Sequence, residues 1–343
     1  MDGAATLAER FRVLVPTFAA GPAPLYAHLA VSAAADLERR GLFRDALEPF
    51  EREPPRRLLP LRLLAVVHRW VLAGEVPELA RHYPSARGPA SPYGAWRRFR
   101  SVVVERAAEL PALLEPPLQH NEVTRAAALA AGFLLIARET AMPLSVLEVG
   151  ASAGLLLRWD RYRDRPWFPA MFDAAPPLGG AVEVVGRRGC DLHPIDPLTA
   201  AGALRLRSFV WADLVEHLAI LEDAIEVSRR VPAAVDRADG ADWLGARLAE
   251  RRQGVATVVA HSLMRASGPP ASLARMEEAL HRCAARATTD APLAHLRFEV
   301  PDGAAPPPRA RSVVETRLTL WPGGEERLLA TSDVNGRHVR WCL

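Results

Sequence analysis

Lysine is missing from this 343-residue sequence, and all 43 basic side chains are arginine. That absence excludes a Schiff-base lysine and the phosphate-binding lysine of a P-loop. Cysteine is scarce. Cys190, Cys283 and Cys342 stand far apart with no C-x-x-C pair, so neither a disulfide framework nor a metal site is expected, and the usage fits a reducing compartment. Long hydrophobic runs are also missing. The longest, Ala126 to Ala137, lies between Arg125 and Arg138 and falls well short of the roughly 20 residues that span a bilayer. Met1-Asp2-Gly3 leads to Glu9 without the basic stretch and apolar core of a signal peptide. The expectation is a cytoplasmic protein with no membrane partner.

No basic arm is present either. The arginines come as doublets such as Arg39-Arg40, Arg97-Arg98 and Arg251-Arg252 with acids between them, and the net charge is only +3. Together with abundant Ala and Pro, this matches the codon bias of a GC-rich genome, and nucleic acid is not an expected partner. What the chain does have is the balance of a globular protein, 50% hydrophobic and 24% charged, at a length that suits two modules of roughly 100–200 residues each.

The first 140 residues read as helices broken by proline. Leu61 to Val71, Tyr93 to Leu110 and Ala126 to Glu139 keep apolar residues three or four apart, and Asn121 stands where an N-cap would. After Pro143 the texture changes to short β-branched runs alternating with helical stretches, the pattern of a parallel sheet with crossover helices. The expected strands are Ser145–Val149, Val182–Gly186, Leu206–Val210, Val255–Ala260 and Ala294–Val300. Helices are expected over Asp213–Ser228, Ala241–Arg251 and Ser272–Ala285. Val313–Trp321 and Glu326–Thr331 flank Pro322-Gly323-Gly324 as an antiparallel hairpin, and His338–Trp341 would close the sheet. The fold class is therefore α/β: a Rossmann-like sheet over residues 141–343 after an all-helical module over 1–140.

The strongest chemical signal is Ser145-Val146-Leu147-Glu148-Val149-Gly150-Ala151-Ser152-Ala153-Gly154-Leu155, which reads as a buried strand, a small-residue turn and then a helix. Three readings fit it. The turn would cradle the amino-acid part of S-adenosylmethionine, with Glu148 near the cationic end of the ligand. Alternatively, Gly150-x-Ser152-x-Gly154 is a nucleophile elbow with Ser152 attacking an ester or amide, served by His261 or His295. Or it is a dinucleotide loop with serine in place of the middle glycine. Position favours the first. About 140 helical residues and no oxyanion loop precede the turn, and Ser152 and Leu155 spoil a dinucleotide signature. A protein of this fold that binds without catalysis remains a further alternative. Gly150, Ala151, Ser152 and Gly154 would then hold the cofactor's amino-acid part, Asp191 would take the ribose hydroxyls, and Asp239 would meet the adenine amino group, with Trp243 packing nearby. His261 comes at the end of the fourth strand and is the best-placed base, with Glu122 as a second proton acceptor. Asn121, Arg125 and Tyr162 are candidate contacts to the acceptor, a small molecule. For Asn121 and Glu122 the competing role is capping the long helix. For Trp159-Asp160-Arg161-Tyr162 it is anchoring the turn.

Several segments resemble the bacterial domain-of-unknown-function 2332 family. They are His120-Asn121-Glu122-Val123, the Leu147–Leu155 run, Trp159-Asp160-Arg161-Tyr162, Arg187-Arg188-Gly189-Cys190-Asp191, Pro194-Ile195-Asp196, Val235-Asp236-Arg237-Ala238-Asp239, His261-Ser262 and Leu318-Thr319-Leu320-Trp321-Pro322-Gly323-Gly324. They span the chain from about residue 90 onward. The larger group it resembles is the class I S-adenosylmethionine-dependent methyltransferases, whose sheet ends in an antiparallel hairpin. The resemblance implies that fold and that cofactor, with the helical module covering the ligand site and selecting the acceptor. This chain departs from the family at Leu156, where asparagine is expected, and at Leu263-Met264-Arg265-Ala266-Ser267, where aromatic residues and glutamine are expected.

Overall fold

The structure is a computed structural model that describes residues 6–119, 121–174, 179–265, 270–301 and 313–342. His120, Ala266 and Ser267 lie outside the described residues. The chain divides into two compact units, one of residues 1–120 with 199–221, the other of 121–198 with 222–343.

The first unit is helical: α1 (Leu7–Arg12), α2 (Val15–Ala20), α3 (Pro24–Leu37), α4 (Leu42–Leu47), α5 (Leu59–Leu72), α6 (Pro77–Ala80), α7 (Ala95–Glu105) and α8 (Leu110–Leu114). Helix α5 is buried almost all round, because α10 (Ala200–Phe209) returns from later in the chain to pack on it. The segment Leu206–Val210, expected as a strand, is the last turn of that helix with its C-cap Val210. Thr199 caps α10 by accepting from the Gly202 amide, and the buried Ala203 and Leu206 lie three residues apart on one face, so helix-forming Ala, Leu and Arg override the short apolar run. The returning segment also finishes α3, whose Leu25 and Tyr26 amides donate to the Asp213 carboxylate.

The second unit is α/β. Helix α9 (Arg125–Thr140) leads into β1 (Leu144–Val149), then come β2 (Val184–Asp191), α11 (Val215–Arg230, which begins in the helical unit), β3 (Ala234–Arg237), α12 (Gly240–Ala249), β4 (Ala256–Ser262), α13 (Pro270–Ala284), β5 (Leu293–Glu299), β6 (Val314–Trp321), β7 (Glu326–Ser332) and β8 (Arg340–Trp341). The eight strands form one sheet in the order β3-β2-β1-β4-β5-β6-β7-β8. The first five are parallel, and β6, β7 and β8 add antiparallel at the end. β2 runs five residues beyond the expected end, through Arg187 and Arg188. Arg187 is neutralised by a bidentate pair with Asp160 at 2.6 and 2.7 Å, which lets a charged residue sit inside a strand.

One sheet face packs on α12 and α13, where Leu147, Val149, Val259, Leu293, Leu244, Leu248, Met276 and Leu280 make a core. The other meets α9. Gly132 lies so close to the sheet that a Cβ there would come within 2.2 Å of Leu296 Cδ1. Because β1 lies between β2 and β4 while the chain runs β1 to β2, the topology reverses between β1 and β4. In open α/β sheets the crevice beyond the carboxyl ends at that reversal is where ligands sit.

Candidate functional site

The turn after β1 stands at that reversal. Its backbone is held by β2, since the Gly150 and Ala151 amides both donate to the Cys190 carbonyl at 2.9 Å. The Ser152 amide donates to Asp191 Oδ2 at 2.9 Å, and the other oxygen of that carboxylate accepts from the His193 amide at 2.8 Å. Asp191 therefore ends β2 as a clasp on the turn. Gly150 and Gly154 have φ of +73° and +65°, and Ser152 adopts the left-handed region too, at +49°. Gly189 on β2 leaves room for the turn, because a Cβ there would meet Ala151 Cβ at 2.5 Å.

Beyond the turn, the expected α-helix is replaced. Residues Leu156–Arg161 form a 3-10 helix interrupted at Arg158, so no long helix offers its N-terminus to an anion here. Trp159-Asp160-Arg161-Tyr162 anchors this stretch. Trp159 stacks on Phe133 of α9 at 4.6 Å, Asp160 binds Arg187, and the fully buried Tyr162 donates its hydroxyl to the Leu155 carbonyl at 2.8 Å. Tyr162 thus supports the turn from within the protein.

Three buried polar atoms around the turn have no hydrogen-bond partner: Glu148 Oε2, Ser152 Oγ and Asn121 Nδ2. Glu148 is the last residue but one of β1, and burial pushes its carboxyl up to about 8, with the nearby Asp191 charge adding to the rise and Arg158 opposing it. Asn121 does not cap α9, whose N-cap is Thr124. Its Oδ1 instead accepts from the Ala153 amide at 3.4 Å, which brings the start of the α9 segment over the turn. Beside it the Thr124 hydroxyl donates to Glu122 Oε1 at 2.8 Å and also reaches the Asn335 carbonyl. Arg125 ties α9 to Ser262 Oγ at the end of β4 (3.3 Å) and to the Val334 carbonyl (3.0 Å). Asn121, Glu122 and Arg125 are therefore gathered at the same sheet edge as Gly150.

The remaining predicted residues have hydrogen-bond partners of their own. Asp239 caps α12 by accepting from the Ala241 amide and is further bonded by Ser272 and Arg275. Trp243 is buried in the core with its indole N–H on Asp236. His261 shares the sheet face of Val149, opposite Glu148, because Glu148 pairs with Ala260 in register. Its Nδ1 is 2.7 Å from Glu299 Oε1 and its Nε2 is 3.0 Å from His295 Nε2. Burial, reinforced by the charges of His261, Arg297, Arg265 and His281, holds His295 well below the usual imidazole range. Glu299 was not anticipated. Only the β4–β5 register brings it to His261, and no local motif marks it. Met264, just past β4, lies against the turn, so that a Cβ on Gly150 would come within 3.0 Å of Met264 Cγ.

Among the described residues no three His, Cys, Asp or Glu side chains are grouped as metal ligands, and no helix is long and apolar enough to cross a membrane. Residues 8–166 and 167–341 match the sequence profile of a family described as an uncharacterized protein conserved in bacteria (DUF2332). No curated protein and no solved structure matches the chain.

Proposed function

The chain belongs to the bacterial DUF2332 family, and from that premise we propose that it binds S-adenosylmethionine at the carboxyl edge between β1 and β4 and methylates a small-molecule acceptor. One observation carries the reading: Glu148 Oε2, Ser152 Oγ and Asn121 Nδ2 are buried without partners around a single small-residue turn. Buried polar atoms are almost always bonded, so a group of exceptions points to a ligand. The amino-acid end of S-adenosylmethionine fits all three. Glu148 would hold its ammonium, and the Ser152 hydroxyl and Asn121 amide would hold its carboxylate. Asp191 uses its oxygens to hold the turn, and from the end of β2 it would also meet ribose hydroxyls.

When bound, S-adenosylmethionine supplies a methyl group on a sulfonium. The chain's own contribution is to align and to exclude water. Met264 against Gly150 shields the turn, and Asn121, Glu122 and Arg125 line the approach from the α9 side. Glu122 would take an acceptor's proton at this edge, because the predicted base His261 has both ring nitrogens engaged by Glu299 and His295. Isothermal titration of the ligand-stripped protein with S-adenosylmethionine and with S-adenosylhomocysteine tests the reading. Micromolar binding that is lost in Asp191→Ala is expected, and folded protein that binds neither ligand would sink it.

One observation favours a second reading. The left-handed backbone of Ser152 is what a nucleophile elbow demands. A hydrolase also needs an imidazole on Oγ, whereas Ser152 Oγ has no partner and both ring nitrogens of His261 are engaged elsewhere. Labelling by a fluorophosphonate probe, abolished in Ser152→Ala, would establish this reading over the first.

A further inference from the structure

Three donors converge on a single oxygen at the end of β5. Glu299 Oε1 takes the Met264 amide at 2.9 Å, the Arg265 amide at 3.4 Å and His261 Nδ1 at 2.7 Å. The two amides can only donate, so this oxygen is an acceptor and the proton on the His261 contact belongs to Nδ1. A neutral His261 protonated at Nδ1 then presents a lone pair at Nε2. That lone pair faces His295 Nε2 at 3.0 Å, which must carry the proton between the rings. The two imidazoles are therefore opposite tautomers. Protonation of His295 is opposed by burial and then by the charges of His261, of Arg297 on β5, of Arg265 from the segment after β4 and of His281 on α13. The same oxygen also fixes the backbone of Met264, the residue that lies on Gly150. Leu263, which begins the segment, is held at φ +50° and donates to the Phe298 carbonyl at 2.8 Å.

We propose that Glu299 is a positioning residue that acts in two directions through one oxygen. It sets His261 as the Nδ1–H tautomer and His295 as the Nε2–H tautomer, and it holds Met264 over the β1 turn. The state of the histidine pair and the covering of Gly150 are thereby coupled, so a change in one loosens the other. For its functional consequence the inference rests on the β1 turn being the ligand site. Its test uses no ligand, and its failure is distinct from a failure to bind S-adenosylmethionine.

The experiment is long-range proton–nitrogen correlation NMR on the full chain labelled with 15N-histidine, with the rings assigned through His261→Gln and His295→Gln, alongside amide hydrogen exchange. In the wild type, His261 is expected to show a protonated Nδ1 and a bare Nε2, and His295 the reverse. In Glu299→Leu, which removes the accepting oxygen, the His261 ring is expected to lose its single tautomer. The Met264 and Arg265 amides should then exchange at least tenfold faster, while amides within β4 and β5 keep their protection. A His261 protonated at Nε2 in the wild type overturns the proposal without any variant. So does a Glu299→Leu protein whose Met264 and Arg265 amides exchange at the wild-type rate.

Discussion

The turns after β1 and after β3 stand at the same sheet edge, and both combine small residues with an aspartate, yet only one is completed by its own chain. After β3, Asp239 caps a true α-helix and is bonded again by Ser272 and Arg275. Gly240 beside it is packed so tightly that a Cβ would meet Val149 Cγ1 at 2.5 Å. After β1 the chain forms only a 3-10 stretch, and Glu148, Ser152 and Asn121 each keep a buried polar atom without a partner. The β3 turn is finished structure. The β1 turn keeps three buried polar atoms without partners, and the cost of leaving such atoms bare, about 1–3 kcal/mol each, is what the proposed ligand would relieve.

The hardest way to break this contrast is Gly154→Arg. Gly154 is left-handed, and a Cβ would lie 2.8 Å from Val235 Cγ2, so strain and overpacking together should cost roughly 2–5 kcal/mol and abolish S-adenosylmethionine binding, read by denaturant titration and calorimetry. Next is Glu148, whose folded carboxyl stands near 8 against an ordinary 4.5. A raised acid favours the folded state while protonated, so stability should fall as pH rises from about 4.5 to about 8. Glu148→Gln should flatten that slope in melting curves taken across the range. Binding of a cationic ligand has the opposite sign: it favours ionised Glu148, so affinity should rise with pH up to about 8, and Glu148→Gln should weaken it and remove the trend.

A sharper test sets the two aspartates side by side. Asp191→Ala strips the acceptor from the Ser152 and His193 amides and should cost about 1–3 kcal/mol together with at least tenfold in affinity. Asp239→Ala should cost about 1 kcal/mol through the lost cap and leave affinity within about twofold. Equal losses of affinity would erase the contrast and restore Asp239 as a ligand contact. The smallest effect belongs to Ser152→Gly, which relieves the positive φ and removes an unpartnered hydroxyl. Stability should change by no more than about 1 kcal/mol, while affinity drops severalfold.

Local signals made the β1 turn legible, because a β-branched buried strand running into Gly150-Ala151-Ser152-Ala153-Gly154 is a pattern written in consecutive residues. Asp191 stood out a few residues past the expected strand Val182–Gly186, whereas its hold on the Ser152 amide left no local sign. The α/β class and the antiparallel end of the sheet came from the change of texture after Pro143. Leu206–Val210 misled because five residues taken alone cannot reveal a helix whose buried face begins at Ala203. Glu299 and the His261–His295 contact could not be read at all. They depend on which residue of β4 stands beside which residue of β5, and register between distant strands leaves no local trace. The N-cap reading of Asn121 failed in a similar way, since Thr124 is the N-cap and the partner of Asn121, Ala153, lies 32 residues on.

The return of residues 199–221 to the helical unit has a consequence for synthesis. Helix α5 leaves the ribosome about 130 residues before α10, its packing partner. At roughly 5–20 residues per second, α5 waits on the order of ten seconds with an apolar side uncovered, while β1 and β2 are still being made. A fragment cut at residue 120 keeps that side bare permanently and loses the Asp213 cap on α3. Anyone dividing this protein for expression should therefore carry the excursion along with the helices, or expect the shortened piece to aggregate.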